Sequence, residues 1–304
     1  MTETPQKDPA CELASIRDWL RWGVTQFERA GVVYGHGTDN AMDETAFLIL
    51  SSLSLPIGDI VPWLDCRLTR PERNALRDLI EARIATRKPA AYLTKSAWIG
   101  GYKFYVDERT IIPRSYIGEL LLRDGLASLI DEADAISNVL DLCTGSGCLA
   151  ILAAHAFSNA AVTAIDVSED ALDVARINVA TYELQDRITL VRSDLFDAIP
   201  QQRFDLILVN PPYVTSAAVE AFSPEYRAEP ALAHKGGADG LDLVRRILAD
   251  ARGYLNDAGV LVVEVGQARE ALEAAYPDLP FFWLDTENSE GEVFALVAQD
   301  LASI

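Results

Sequence analysis

The chain is poor in histidine and cysteine and has no long apolar run. Its four cysteines, Cys11, Cys66, Cys143 and Cys148, form no Cys-x-x-Cys pair, and its three histidines, His36, His155 and His234, are scattered. A structural zinc site needs clustered ligands, so no metal role is expected. Scattered cysteines in a chain of 304 residues fit a reducing compartment better than a disulfide framework. The first residues, MTETPQKDPACE, lack the apolar core of a signal peptide. The longest apolar runs, such as Val260 to Val263, fall far short of the about 18 residues a membrane span needs. Together these absences predict a cytoplasmic protein without a membrane partner.

Basic charge is scarce as well. There are 26 Lys and Arg against 46 Asp and Glu, a formal charge of −20. A surface of that sign repels phosphate backbones, so direct nucleic-acid binding is not expected. It favours a basic partner, because opposite fields speed encounter. A merely solvated acidic face is the plainer alternative.

What is present reads as two regions. Residues 1–9 are polar and carry two prolines, and read as a flexible tail. From Ala10 the apolar spacing is helical: Leu13, Ile16, Leu20, Val24 and Phe27 form one stripe, and Ala46, Ile49, Leu50 and Leu53 a second. Asp39 or Asn40 suits the N-cap of the second helix. Thr69 with Glu72 forms a capping box for a third, with Leu76, Leu79, Ile80 and Ile84 on its apolar face. These helices predict a small helical domain over residues 10–95. Residues 96–114 are rich in β-formers broken by Gly100-Gly101 and read as a hairpin linker, with a helix expected from Ile117 to Ile130.

From residue 115 to 304 strand and helix signals alternate. Val139 to Cys143, Val162 to Asp166, Ile188 to Val191, Phe204 to Val209 and Val260 to Val265 read as buried strands with helices between them. Alternation of this kind predicts an α/β domain with a parallel sheet. Phe281 to Leu284 and Val293 to Val297 lack an intervening helix, which predicts an antiparallel edge.

Two motifs carry chemistry. Asp141-Leu142-Cys143-Thr144-Gly145-Ser146-Gly147-Cys148 follows a strand and opens a helix, so its glycines let backbone approach a ligand at a helix N-terminus. The next strand ends in Asp166, placed to accept the hydroxyls of a ribose. A tight turn beside a solvated Asp is the plainer reading of the same residues. Asp141 suits a ligand bearing an ammonium and repels a pyrophosphate, which favours S-adenosylmethionine over a dinucleotide. The second motif, Asn210-Pro211-Pro212-Tyr213, directly follows the fourth strand. It could be only a rigid proline turn. At the carboxyl edge of a parallel sheet it also suits a planar NH₂ group: the Asn210 side-chain oxygen and the Pro211 carbonyl can accept its two N–H protons, and Tyr213 offers an aromatic face.

These two motifs resemble those of class I methyltransferases acting on planar NH₂ nitrogens. Tyr34 to Glu44, Pro89 to Thr94, Phe104 to Arg109, Ile112 to Ser115, Ser193 to Phe196 and Gly237 to Val244 are similar to the protein-(glutamine-N5) methyltransferases, most of all those acting on large-subunit ribosomal protein L three. The resemblance runs from about residue 10 to the end. It implies a class I (Rossmann-like, seven-stranded) methyltransferase domain preceded by a helical substrate-recognition domain and a β-hairpin. It also implies that Cys143, Thr144, Gly145, Ser146 and Gly147 wrap the methionine part of S-adenosylmethionine. Asp166 would hold the ribose, Asp194 and Leu195 would lie by the adenine, and Asn210, Pro211, Pro212 and Tyr213 would hold a glutamine amide. The related enzymes acting on peptide chain release factors share both motifs, and a non-catalytic assembly factor is a further alternative. Two positions depart from the pattern: Tyr116 stands where proline is expected, and Ala228 where histidine is expected.

Overall fold

The computed structural model describes residues 8–124, 126–130, 132–199 and 202–303. It divides into two compact units. One is Met1–Ser96 with Ser223–Ala228, and the other is Ala97–Phe222 with Glu229–Ile304. The helical unit is therefore not one continuous stretch of chain. Residues 1–7 of the expected tail lie outside the described residues.

In the helical unit, Asp8 caps the short helix Pro9–Glu12, which begins at the last residue of the expected tail. Ser15 and Asp18 form a reciprocal capping box on Ile16–Ala30, Asn40 caps Ala41–Ser52, and Thr69 with Glu72 caps Arg70–Thr86. Trp19, Phe27, Leu48, Leu76 and Ile80 are fully buried where these helices meet. Gly23 permits the contact: a Cβ there would lie 2.5 Å from the Thr45 methyl. A further short helix, Ala90–Thr94, lies at the end of the expected domain and stops at Lys95, whose φ of 51° is left-handed.

Under this core lies an ion cluster. The Arg83 guanidinium has no exposed surface and donates to Glu44 at 2.6 Å. Glu225, from the 223–228 segment, accepts the Val33 N–H at 3.2 Å and pairs with Arg87 at 3.1 Å. Burial pushes the Glu44 carboxyl up.

The second unit begins with a small hairpin, β1 (Ala97–Ile99) against β2 (Tyr102–Phe104). Pairing ends there, well short of Ile112, and the chain runs on without regular structure to the helix Tyr116–Asp124. That helix is shorter than expected. Leu126 sits at φ 62°, which a right-handed helix cannot absorb.

The main sheet contains β3 (Asn138–Leu142), β4 (Ala161–Asp166), β5 (Ile188–Arg192), β6 (Phe204–Val209), β7 (Leu255–Glu264), β8 (Phe282–Leu284) and β9 (Val293–Val297). Their spatial order is β5-β4-β3-β6-β7-β9-β8. The first five run parallel, and β9 pairs antiparallel with both β7 and β8. One apolar layer covers each face. Phe157, Ile151 and Ile117 belong to one, and Phe204, Ile247 and Phe294 to the other. The strand order reverses between β3 and β6, and the crevice at that reversal is where such sheets take ligands.

Charge is unevenly shared along the chain. Through Ser96 there are 12 Lys and Arg and 13 Asp and Glu, whereas Ala97 to Ile304 holds 14 and 33. Almost the whole acidic excess belongs to the sheet-containing part.

Candidate active site

The carboxyl ends of the parallel strands bring the two motifs together. In the register, Asp141 lies beside Leu208 and Leu142 beside Val209, so Cys143 and Asn210 leave adjacent strands at the same level. Asp166 ends β4, Ser193 and Asp194 follow β5, and Glu264 ends β7.

Asp141 is fully buried. Its Oδ2 accepts Thr144 Oγ1–H at 2.5 Å and the Ala150 N–H at 3.0 Å, which draws the loop over the start of helix Cys148–Ala156. Its Oδ1 has no partner among the described residues. Burial pushes the Asp141 carboxyl up to about 7. Cys143, Gly145 and Gly147 all take left-handed backbone, with φ of 59°, 56° and 80°. At Gly147 a Cβ would sit 3.2 Å from that of Ala175, so no side chain fits without displacing the neighbouring helix. Burial pushes the Cys148 thiol up to about 12 and the Cys143 thiol higher still, so both stay protonated.

Asp166 faces the same loop. Its Oδ2 accepts the Gly145 N–H at 2.9 Å and its Oδ1 accepts the Ser168 N–H at 2.9 Å. Each oxygen keeps a lone pair for a further donor. Asp194 is half exposed and pairs with Arg246 at 3.0 Å, while Leu195, buried and at φ 49°, closes the turn beside it.

Asn210 is half-buried, and its side-chain amide makes no hydrogen bond among the described residues. The backbone beyond it is held firmly. Val214 donates to the His234 carbonyl at 2.9 Å and accepts from Gly236 at 2.8 Å. Three glycines admit Tyr213: a Cβ would lie 2.7 Å from its Cα at Gly236, 2.3 Å from its carbonyl oxygen at Gly240, and 2.6 Å from its ring at Gly266. The Tyr213 phenol donates to Glu264 Oε1 at 3.2 Å, and burial pushes the phenol well up.

Three residues that the motif reading passes over hold this edge in shape. Asn178, buried in helix Glu169–Thr181, accepts the Tyr105 N–H at 2.7 Å and donates to the Tyr105 and Ser146 carbonyls. It ties the chain after the hairpin to the glycine loop. Glu229 is buried against Arg114 and the Ile112 N–H. Glu264, fully buried, accepts Ser115 Oγ–H at 2.6 Å and the Tyr116 N–H at 3.0 Å. The Ile112 to Ser115 run is thus gripped by two glutamates. The unusual Tyr116 opens the helix Tyr116–Asp124 with its N–H on Glu264, and Ala228 lies in the short helix Tyr226–Ala228 of the helical unit. An acid closing an apolar strand was the available signal for Glu264, the same pattern that marks Asp141 and Asp166.

Comparison with known proteins places this geometry. A family model described as the methyltransferase small domain matches residues 123–223. A protein of Neisseria meningitidis named ribosomal protein uL3 glutamine methyltransferase is 52% identical over 292 residues, covering 96% of each chain. Proteins of the same name from Bordetella pertussis and Burkholderia pseudomallei are 52% and 49% identical over 95% of this chain. Identity of that extent, spanning both units, makes the chain a member of the ribosomal protein uL3 glutamine methyltransferase family.

Proposed function

We propose that the chain transfers a methyl group from S-adenosylmethionine to the side-chain nitrogen of a glutamine in ribosomal protein uL3, the protein called L three above. The observation that carries this reading is the uncommitted Asn210 amide at the sheet's switch point, beside a glycine loop whose buried Asp141 keeps one oxygen unpaired. Asp141 Oδ1 fits the ammonium of the methionine moiety, and the open lone pairs of Asp166 fit a ribose. Cys143 to Gly147 supply backbone close to the donor, and Asp194 and Leu195 flank the adenine. S-adenosylmethionine supplies an electrophilic methyl carbon on a sulfonium.

An amide nitrogen is a poor nucleophile, because its lone pair is delocalised into the carbonyl. The Asn210 oxygen and the Pro211 carbonyl accept its two N–H groups and so set its plane, while Tyr213 supports the planar group. Positioning of this kind lowers the barrier without a covalent intermediate on the enzyme. As the new N–C bond forms, the C–S bond breaks and the nitrogen becomes acidic, so its proton leaves late to water.

The helical unit recognises the protein substrate, and the acidic charge of the sheet-containing part attracts a basic one. The reaction takes place in the cytoplasm; no described helix is long and apolar enough to cross a membrane.

The test offers uL3 and a peptide chain release factor together with labelled methyl donor, followed by mass mapping of the modified residue. Label on a glutamine of uL3 is expected. Preferential labelling of the release factor would move the chain to the related activity, and an unlabelled outcome with tight uL3 binding would make it an assembly factor.

A further inference from the structure

We propose that Glu264 is a positioning residue for methyl transfer, fixing Tyr213 at the amide-binding edge by holding its phenol and the start of helix Tyr116–Asp124 on one carboxylate. The inference rests on the reading of Asn210 to Tyr213 as the amide site. Three donors converge on two oxygens: the Tyr213 phenol on Oε1, and the Ser115 hydroxyl and Tyr116 N–H on Oε2. They come from two places in the chain, Ser115-Tyr116 and Tyr213, which only the fold brings to Glu264.

The composition of this cluster is unusual for a structural anchor. Glu264 is fully buried, and among the described residues no cation forms an ion pair with it. A buried carboxylate without a cation is expensive, and a glutamine would fill the same space at lower cost. The turn after β7 is also built around Tyr213. Gly266, two residues beyond Glu264, is the glycine whose missing Cβ leaves room for the Tyr213 ring. One end of one strand thus supplies both the hydrogen bond that holds the phenol and the space that admits the ring. The Glu292 charge helps raise the phenols of both Tyr116 and Tyr213, after burial, so a second carboxylate acts on the same cluster. Arg114 is the cation that acts on the Tyr213 phenol in this network, and it is itself committed to Glu229.

Glu264 acts on the substrate only through Tyr213. Replacing its carboxyl should therefore alter turnover and leave the glycine loop alone. The experiment compares wild type, Glu264→Gln, Tyr213→Phe and the double variant on uL3, with thermal melting of each and binding of S-adenosylmethionine by calorimetry. Either single variant is expected to lower kcat about 10–100-fold with cofactor affinity kept within about twofold. The double variant should be no worse than the poorer single, because both break one interaction. Multiplicative losses, or near-normal kcat in Glu264→Gln, would overturn the proposal. A second readout needs no turnover. In protein labelled with ¹³C at the tyrosine ring, the Tyr213 resonance should move in Glu264→Gln. An unmoved Tyr213 resonance overturns the proposal whether or not uL3 is the substrate, whereas failure of wild type to label any glutamine removes the functional reading and leaves this coupling to the resonance.

Discussion

Arg114 and Glu229 meet as a two-pronged pair, with guanidinium nitrogens 2.7 and 2.8 Å from the two carboxylate oxygens. The carboxylate is fully buried and also accepts the Ile112 N–H, with His234 Nε2 3.1 Å away. The pair joins the chain entering helix Tyr116–Asp124 to the chain that returns after the 223–228 segment. Arg114→Ala would take the guanidinium from that carboxylate and leave the Ile112 N–H and His234 beside it. It should destabilise the protein by about 3 kcal/mol, the low end for a broken buried pair because Arg114 is partly exposed. Arg114→Lys should recover only part of this, since an ammonium cannot match both oxygens. Urea unfolding of the three proteins measures it, and equal stabilities would show that the fork contributes nothing.

Asp141 should matter to cofactor affinity more than to folding. In Asp141→Asn the acceptor toward Thr144 and Ala150 survives, while the unpaired Oδ1 loses its charge. A charge-assisted hydrogen bond is worth about 1.5–3 kcal/mol, so the dissociation constant for S-adenosylmethionine should rise about 10–100-fold. Calorimetric titration gives the answer directly, and unchanged affinity would remove Asp141 from the site.

Stability should fall as pH rises from about 4 to about 7 in the absence of ligand. Burial holds the carboxyls of Asp141 and Glu264 up at about 7, and raises those of Asp166 and Glu44. Each then binds its proton more tightly folded than unfolded. The stabilisation is complete below the unfolded carboxylate pKa and is lost as pH passes the folded value. His155, pushed down by burial, and Glu225, whose carboxyl the Val33 N–H holds down against the cost of burial, work in the opposite sense but are two groups against four. Asp107 and Asp239, held at about 2 by Arg109 and Arg245, act only in a lower window, where they lose stability as pH falls. Melting temperatures across this range test the slope, and Asp141→Asn or Glu264→Gln should flatten it. A stability that climbs steadily to pH 7 would contradict the burial of these acids.

Asn210→Ala should abolish most methyl transfer while sparing the cofactor. The side chain has no structural partner among the described residues to lose, so melting should be nearly unchanged. Loss of one oriented group at a reacting centre costs about 10²–10³ in kcat. Single-turnover transfer with saturating substrate measures this, and near-normal rates would break the amide-clamp reading.

The helical caps at Asn40 and Thr69, the alternating strands and the two motifs depend on neighbours a few residues away, and so they were legible in the sequence. Glu264, Glu229 and Asn178 were not, because their partners lie 149, 117 and 73 residues distant. Each is a polar residue in an apolar setting, a sign that it must have a partner but not which one. The hairpin reading ran too far for a related reason. Tyr105 has the composition of a strand, but its N–H and C=O are both taken by Asn178, so the ladder stops at Phe104. The 223–228 segment carried no signal at all, since six residues of ordinary loop composition do not reveal which core they join.

That segment sets a limit on dissecting or recombining this enzyme. Cutting at Ser96 would not yield a self-sufficient catalytic fragment, because Glu225 would keep its charge and lose both Arg83 and Arg87. A chimaera that borrows the first 96 residues from a relative must import Ser223–Ala228 with them, as a four-piece splice. Inheritance should follow the same rule: changes near Arg83 and changes near Glu225 are expected to travel together, although 142 positions separate the two in the gene.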